Sequence, residues 1–289
     1  MVSRGWMTRD LLLLPILVFI GFVGLQGILS PAMTAGVFAF LFLEVLFLAT
    51  IQTHRTTWNP MDPSLVPFDP EGPASQEELR SHFAETAADL ERLGYSPERY
   101  YLMKQMSPNT QGSTLLFGDV HSGETARVQT VVATRGRFRV ATSFVIFGSE
   151  FSDGTEVVTA NMASPTTLPP RRPPFHGRTF PQVRDVDLLL DLHRARVANL
   201  AAGLTPVDPI GDDPDAYLRR VNCEAPYAHF IARGYMYADE MAGVYRITWK
   251  GAFLVTLVLL PPFKQIRLTW RRLEAARQIA NLKAGRPVD

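Results

Sequence analysis

The sequence predicts a membrane-anchored α+β protein: an N-terminal transmembrane helical hairpin, a cytoplasmic antiparallel sheet with packed helices, and a C-terminal short apolar helix with a basic tail. Three observations predict it. Residues 11–51 carry a single charged side chain, Glu44. Alternating, β-branched segments fill the middle of the chain over residues 99–162. Apolar residues at helical spacing bracket those segments, near residues 79–90 and 186–200. The chain divides accordingly into a hairpin (1–52), a Pro-rich linker (53–74), an α+β domain (75–247), a short membrane-embedded or re-entrant helix (248–263) and a basic amphipathic tail (264–289).

A spanning helix takes roughly 20 mostly apolar residues, so the first run holds two, 11–29 and 31–51, reversing at Ser30-Pro31. Arg4 and Arg9 precede it as they would precede a secretory signal. No small-x-small site followed by polar sequence appears, however, and a retained hairpin is expected. Glu44 lies mid-span, and an intramembrane carboxylate is a functional candidate by default. Gln26 is the one polar side chain in the first span, so Glu44 is read as hydrogen-bonding across the hairpin or into an interface with a second copy.

Pro60, Pro63, Pro67, Pro70 and Pro73 make the linker an extended spacer. Ser75 and Glu78 form a capping box for a helix whose apolar stripe is Leu79, Phe83, Ala87 and Leu90, ended by Gly94. Acidic residues crowd its other side, so it is expected to pack on protein rather than on an anionic bilayer.

Strands are expected over 99–105, 113–120, 125–134, 137–152 and 155–162, with turns at His121-Ser122-Gly123 and Arg135-Gly136. Asp153-Gly154 suits a two-residue type I′ turn. That turn pairs Ser149 with Val158 and Phe147 with Ala160. Val145, Phe147, Phe151, Val158, Ala160 and Met162 then share a buried face, and Thr155, Thr159 and Asn161 are left on a polar face opposite Glu150.

A Pro-rich loop (164–181) leads to a helix over 182–202, with Val186, Leu190, His193, Val197 and Leu200 on one stripe. Asp213 and Pro214 read as N-cap and first helical residue of a third helix, which is expected to end before Pro226. A hairpin with arms 235–238 and 243–247 follows. Thr248 caps the last apolar helix, 249–260, and Pro261-Pro262 stops it. The membrane-facing candidates are therefore Glu44, Trp249, Lys250, Pro261 and Pro262.

Positive residues near span ends favour the cytoplasm. Arg4, Arg9 and Arg55 place both hairpin ends inside, and the domain with them. The tail, with Lys264, Arg267, Arg271, Arg272, Arg277, Lys283 and Arg286 against Glu274 and Asp289, also belongs inside. A third crossing would export it. Because 251–263 is short of a span, that helix is expected to dip and return, giving a multi-pass protein of the inner (plasma) membrane. A bilayer is the expected partner, with anionic lipid at the tail and a protein partner or homo-oligomer beyond it.

Chemistry is sparse. His193 with Asp191 is the weak catalytic candidate, and His193 on an apolar stripe reads more simply as a buried structural histidine. Thr155, Thr159 and Asn161 are weak ligand-binding candidates, or else solvated strand positions. The single cysteine, Cys223, excludes an intrachain disulfide, and its neighbour Glu224 raises the thiol pKa. The histidines lack metal spacing, and the chain has no P-loop, dinucleotide loop or Gly-x-Ser-x-Gly elbow, so no metal or cofactor is expected. The segment from Arg233 to Gly251 locally resembles the wing of winged-helix domains, where a short hairpin precedes a Thr-x-Lys-Gly helix start. The helices before it lack a basic recognition face, and nucleic acid is not an expected partner. The favoured expectation is a binding or scaffolding module. The alternatives are an enzyme on a lipid-proximal substrate using His193, and a small-ligand sensor with a pocket between sheet and helix.

Overall fold

The computed structural model describes residues 30–62, 65–67, 77–107, 110–119, 123–135, 138–162, 174–261 and 263–288. The first expected span (11–29), Ser75 of the capping box, His121-Ser122, Gly136 and Pro262 lie outside the described residues. Along the chain run α1 (Pro31–Thr56), β1 (Trp58–Pro60), β2 (Leu65–Pro67), α2 (Glu77–Arg92), β3 (Ser96–Ser107), β4 (Thr110–Gly118), β5 (Glu124–Arg135) and β6 (Phe138–Phe151). They are followed by β7 (Glu156–Ala160), β8 (Phe175–Thr179), α3 (Val186–Leu200), β9 (Pro206–Val207), α4 (Pro214–Arg219) and a π-helical turn (Arg220–Glu224). The chain ends with α5 (Ala225–Ala232), β10 (Met236–Asp239), β11 (Val244–Ile247), α6 (Trp249–Leu259) and α7 (Phe263–Lys283).

The fold is α+β, with two sheets. The larger has the order β2-β3-β4-β5-β6-β7-β8, with β9 pairing β6. Its ladders are antiparallel, with one exception to the expected all-antiparallel sheet: β7 and β8 run parallel. The smaller has the order β1-β11-β10. Residues 53–74, expected to be a spacer, supply the edge strand of both sheets. Pro60 and Pro67 are tolerated there because an edge strand has one row of N–H groups with no ladder partner to lose.

The β6–β7 register differs from the expected one by a single residue. Gly154 N–H donates to Phe151 O at 2.9 Å and Phe151 N–H to Thr155 O at 2.9 Å. Gly154 has φ +84°. This is a three-residue loop, a type I turn followed by a left-handed glycine, rather than a two-residue turn at Asp153-Gly154. Asp153 stabilises it by accepting from Thr155 N–H and Oγ1 at 2.9 and 3.0 Å. Pairing becomes Ser149↔Val157 and Phe147↔Thr159, and a one-residue slip exchanges the two faces of a strand.

One sheet face is covered by α2, α3 and α7. Ala87 and Leu90 of α2 meet Leu115, Phe117, Val128, Val145 and Phe147 of the sheet, and Leu189 and Leu192 of α3, in the main core. Helix α2 therefore packs on protein, as its acidic outer side requires. It ends in a Schellman motif, with Tyr95 N–H on Leu90 O and Gly94 N–H on Glu91 O, both 3.0 Å. The tail also enters this core through Ala275 and Val288. The opposite face carries Tyr101 and Leu116 against Ile210, Tyr217 and Leu218. Asp213 caps α4 as expected, accepting from Ala216 N–H at 2.9 Å. The helix does not stop before Pro226, because the π turn opens the backbone ahead of it: Ala225 N–H bonds Arg220 O, five residues back. That wider turn admits a proline ring that would clash with the carbonyl of residue i−4 in a regular helix.

The small sheet packs on α6 through Tyr235, Met236, Ile247, Ala252 and Val255. Thr248 caps α6, accepting from Gly251 N–H at 3.1 Å. A Cβ on Gly251 would overlap the Tyr235 carbonyl and come within 2.8 Å of Ile247 Cγ1. Gly251→Ala is expected to cost about 1–3 kcal/mol by overpacking, read as a lower denaturation midpoint of the solubilised protein. An unchanged midpoint would show that α6 can move away from the sheet at no cost.

Candidate functional site

Helix α3 brings the expected histidine under the large sheet. His193 has no exposed surface, and Arg196, one turn further along, is 1% exposed. The register of β6 and β7 places Ser149 and Thr159 directly against them. His193 Nε2 lies 2.9 Å from Ser149 Oγ and Nδ1 lies 3.1 Å from Thr159 Oγ1. Arg196 Nη1 donates to Thr159 Oγ1 at 2.7 Å and to Val158 O at 2.7 Å, and Nη2 to His176 O at 2.9 Å. With Thr159 already accepting from Arg196, we assign its hydroxyl proton to Nδ1, which places the ring proton on Nε2 facing Ser149. Phe147 stacks on the ring at 5.9 Å.

Burial, and then the positive charges of Arg196 and Arg194, push the His193 pKa down to about 3. The ring is thus neutral at physiological pH, in keeping with the tautomer assigned above. Asp191, two residues away, is exposed on another side of the helix and does not orient His193. Arg194 points outward instead, donating to Glu124 Oε2 at 3.0 and 3.2 Å. Tyr95 donates to the same oxygen at 3.0 Å. Burial and the Glu124 carboxylate hold the Tyr95 hydroxyl well above its usual range. A hydroxyl–imidazole–hydroxyl chain can hold or relay a proton, but this one has no solvent-facing member through which a substrate could reach the ring.

The expected polar face of β7 is not formed. Thr159 points inward to His193 and Arg196. The Thr155 hydroxyl is engaged by Asp153. Asn161 Oδ1 accepts the Val145 N–H at 2.7 Å. Glu150 lies on the other side of the sheet, bonded by Arg220 at 2.7 Å. The three side chains are structural because the turn carries one more residue than expected. Cys223 is buried, with its thiol pushed up to about 11 by burial first and by Asp62 and Glu224 next.

The membrane-facing candidates fall into two groups. Glu44 is exposed on α1 among Phe40, Leu43, Phe47 and Leu48. A partner for it across the expected hairpin lies outside the described residues. Trp249 stacks on His54 of α1 at 4.2 Å and 9°, and Thr256 Oγ1 donates to Thr53 Oγ1 at 3.1 Å. Lys250 donates to Arg233 O at 2.8 Å and sits over the Tyr235 ring, so it braces the small sheet. Pro261 marks the exit of α6, beyond which α7 departs at 71°.

Among the described residues one helix, α1, is long and apolar enough to cross a membrane, and α6 with α7 meet the same test only as a bent pair. The sequence reading missed Arg196, although its spacing of three from His193 put both on one helical stripe. It also passed over Ser149, which alternates with Val145, Phe147 and Phe151 on the inner face of β6, and the inward turn of Thr159 follows only from the true register. No family model, curated protein or solved structure matches this chain.

The pH dependence of stability follows from His193. Its folded pKa lies below the unfolded value of about 6.5, so the unfolded chain binds the proton first. Stability is fully present above about pH 6.5 and is lost as pH falls toward 3. His193→Gln is expected to remove this share of the slope while costing about 1–3 kcal/mol at neutral pH, measured by denaturant unfolding at stepped pH. An identical slope in the variant would refute the neutral buried ring.

Proposed function

We propose that the chain is a membrane-anchored binding or scaffolding module whose α+β domain is held at the inner face of the membrane. The observation that carries this reading is where large apolar side chains are exposed. They concentrate on α1 (Met33, Phe40, Leu43, Phe47) and on α6–α7 (Trp249, Phe253, Ile266, Trp270, Leu273), with Phe40 at 67% and Trp270 at 69%. Apolar surface of that extent marks a partner or a membrane, and 26 residues of helix at about 1.5 Å rise exceed the hydrocarbon thickness. The Thr53–Thr256 and His54–Trp249 contacts join α1 to α6, so the apolar elements form one unit.

In this reading α1 crosses the bilayer and residues 11–29 form a second crossing. Helix α6 enters part-way beside α1, and α7 lays Ile266, Trp270 and Leu273 in the interface, with Arg277 on the same side near anionic headgroups. Arg55 and the basic tail favour the cytoplasmic side for the domain. The exposed surface left to the domain would serve a protein partner or a second copy. An enzyme built on His193 is disfavoured by its enclosure. A sensor pocket between sheet and α3 is disfavoured by the side chains that fill that layer.

Reporter fusions inserted near residue 64 and after Asp289 are expected to report the same, cytoplasmic side, and the protein is expected to resist carbonate extraction. Opposite-side signals, or release by carbonate, would end this reading.

A further inference from the structure

Helix α7 carries two unlike strips. Phe263, Ile266, Trp270 and Leu273 recur at three and four residues and are exposed. On the far side of the helix, Leu268, Arg271 and Arg272 face the connection between β8 and α3. Between them and Thr179, Pro181 and Gln182 lies a cleft of about 290 Å³, at the small end of ligand sites. Its lining is rich in donors: two guanidinium forks, a hydroxyl and an amide.

Among the described residues no carboxylate lines the cleft. Glu274, the acid nearest along the helix, is held by Arg178 at 2.6 Å. Arg267 stands one turn before Arg271 and adds a like charge. Burial, followed by Arg267, pulls Arg271 down to about 10, with Glu274 offsetting part of that shift. An anion would relieve it, and paired guanidinium groups match phosphate oxygens in two-pronged geometry. Leu268 and Pro181 give an apolar side to the cleft for the organic part of an ester.

We propose that this cleft is a binding site for a phosphate monoester group, gripped by Arg271 and Arg272 and seated on Thr179 and Gln182. The group could come from a soluble ester or from a lipid headgroup. Because the cleft and the exposed apolar strip lie on opposite sides of α7, the geometry favours the soluble source. Recognition of phosphate here does not depend on whether α1 crosses a bilayer.

The test titrates full-length protein in detergent with inorganic phosphate and with glycerol 3-phosphate at constant ionic strength, read by calorimetry. Saturable binding is expected, weakened about tenfold or more in the Arg271→Gln/Arg272→Gln double variant and unchanged in Lys283→Gln on the same helix. Thr179→Val is expected to weaken it by a smaller factor, and serves if the double variant fails to fold. No saturable binding by the unmodified protein, or binding in the double and Thr179→Val variants as tight as in the unmodified protein, would overturn the site. Nanodiscs with phosphatidic acid, compared with phosphatidylcholine alone, assign the source: displacement of glycerol 3-phosphate points to a headgroup, and retained binding to a soluble ester.

Discussion

The loop from Phe151 to Thr155 sets the chemistry of the whole sheet interior. One extra residue in that turn sends Val157 and Thr159 of β7 toward α3, beside Ser149 of β6. Two hydroxyls, those of Ser149 and Thr159, thus face α3 in the sheet interior. They have to be satisfied there, since an unpaired buried hydroxyl is destabilising by more than a hydrogen bond contributes. His193 and Arg196 satisfy them, and Arg196 goes on to bind the carbonyls of Val158 and His176, on β7 and β8. The parallel β7–β8 pairing and the packing of α3 are thus tied together by one guanidinium. An imidazole so placed is a strut.

The second organising feature is the union of α1 with the helices that follow the small sheet. Helix α1 is joined to α6 by a ring stack and a hydroxyl pair, while α7 delivers Ala275 to the main core and the segment after it delivers Val288. Arg178 reaches from β8 to Glu274 on α7 and pins that helix beside the sheet. The apolar helices and the α+β domain thereby share side chains, and neither is an appendage of the other. The basic residues of α7 divide between solvent, the apolar strip and the cleft, which is why a tail that reads as simply cationic has three distinct environments.

Much of this was legible in the residues. Gly94, Asp213, Thr248 and Pro261 mark helix ends because capping is local chemistry, set within four residues. Strands β3 to β7 were legible from their alternation, whereas β8 lay inside the expected Pro-rich loop, and His193 was legible as buried from its helical stripe. The register was not, since Asp-Gly fits a two-residue turn and a longer one equally until Asp153 is seen bonding Thr155. Nor were β1 and β2, because strands of three residues ending in proline leave no periodic signal and owe their conformation to distant partners. Pro226 looked like a stop because a π turn is invisible to patterns of three and four. Arg271 and Thr179 meet only in space, being more than ninety positions apart, and no spacing rule joins them.

Thr57 alone separates the last turn of α1 from β1. A joint that short has no slack. Any roll or tilt of α1 must be taken up by the three β1–β11 pairs from Trp58↔Arg246 to Pro60↔Val244, with Trp249 already clamped on His54. Helix α1 and the small sheet are thereby coupled through a single residue, and Tyr245 and Arg246 are the first partners on β11 to meet a displacement of the helix.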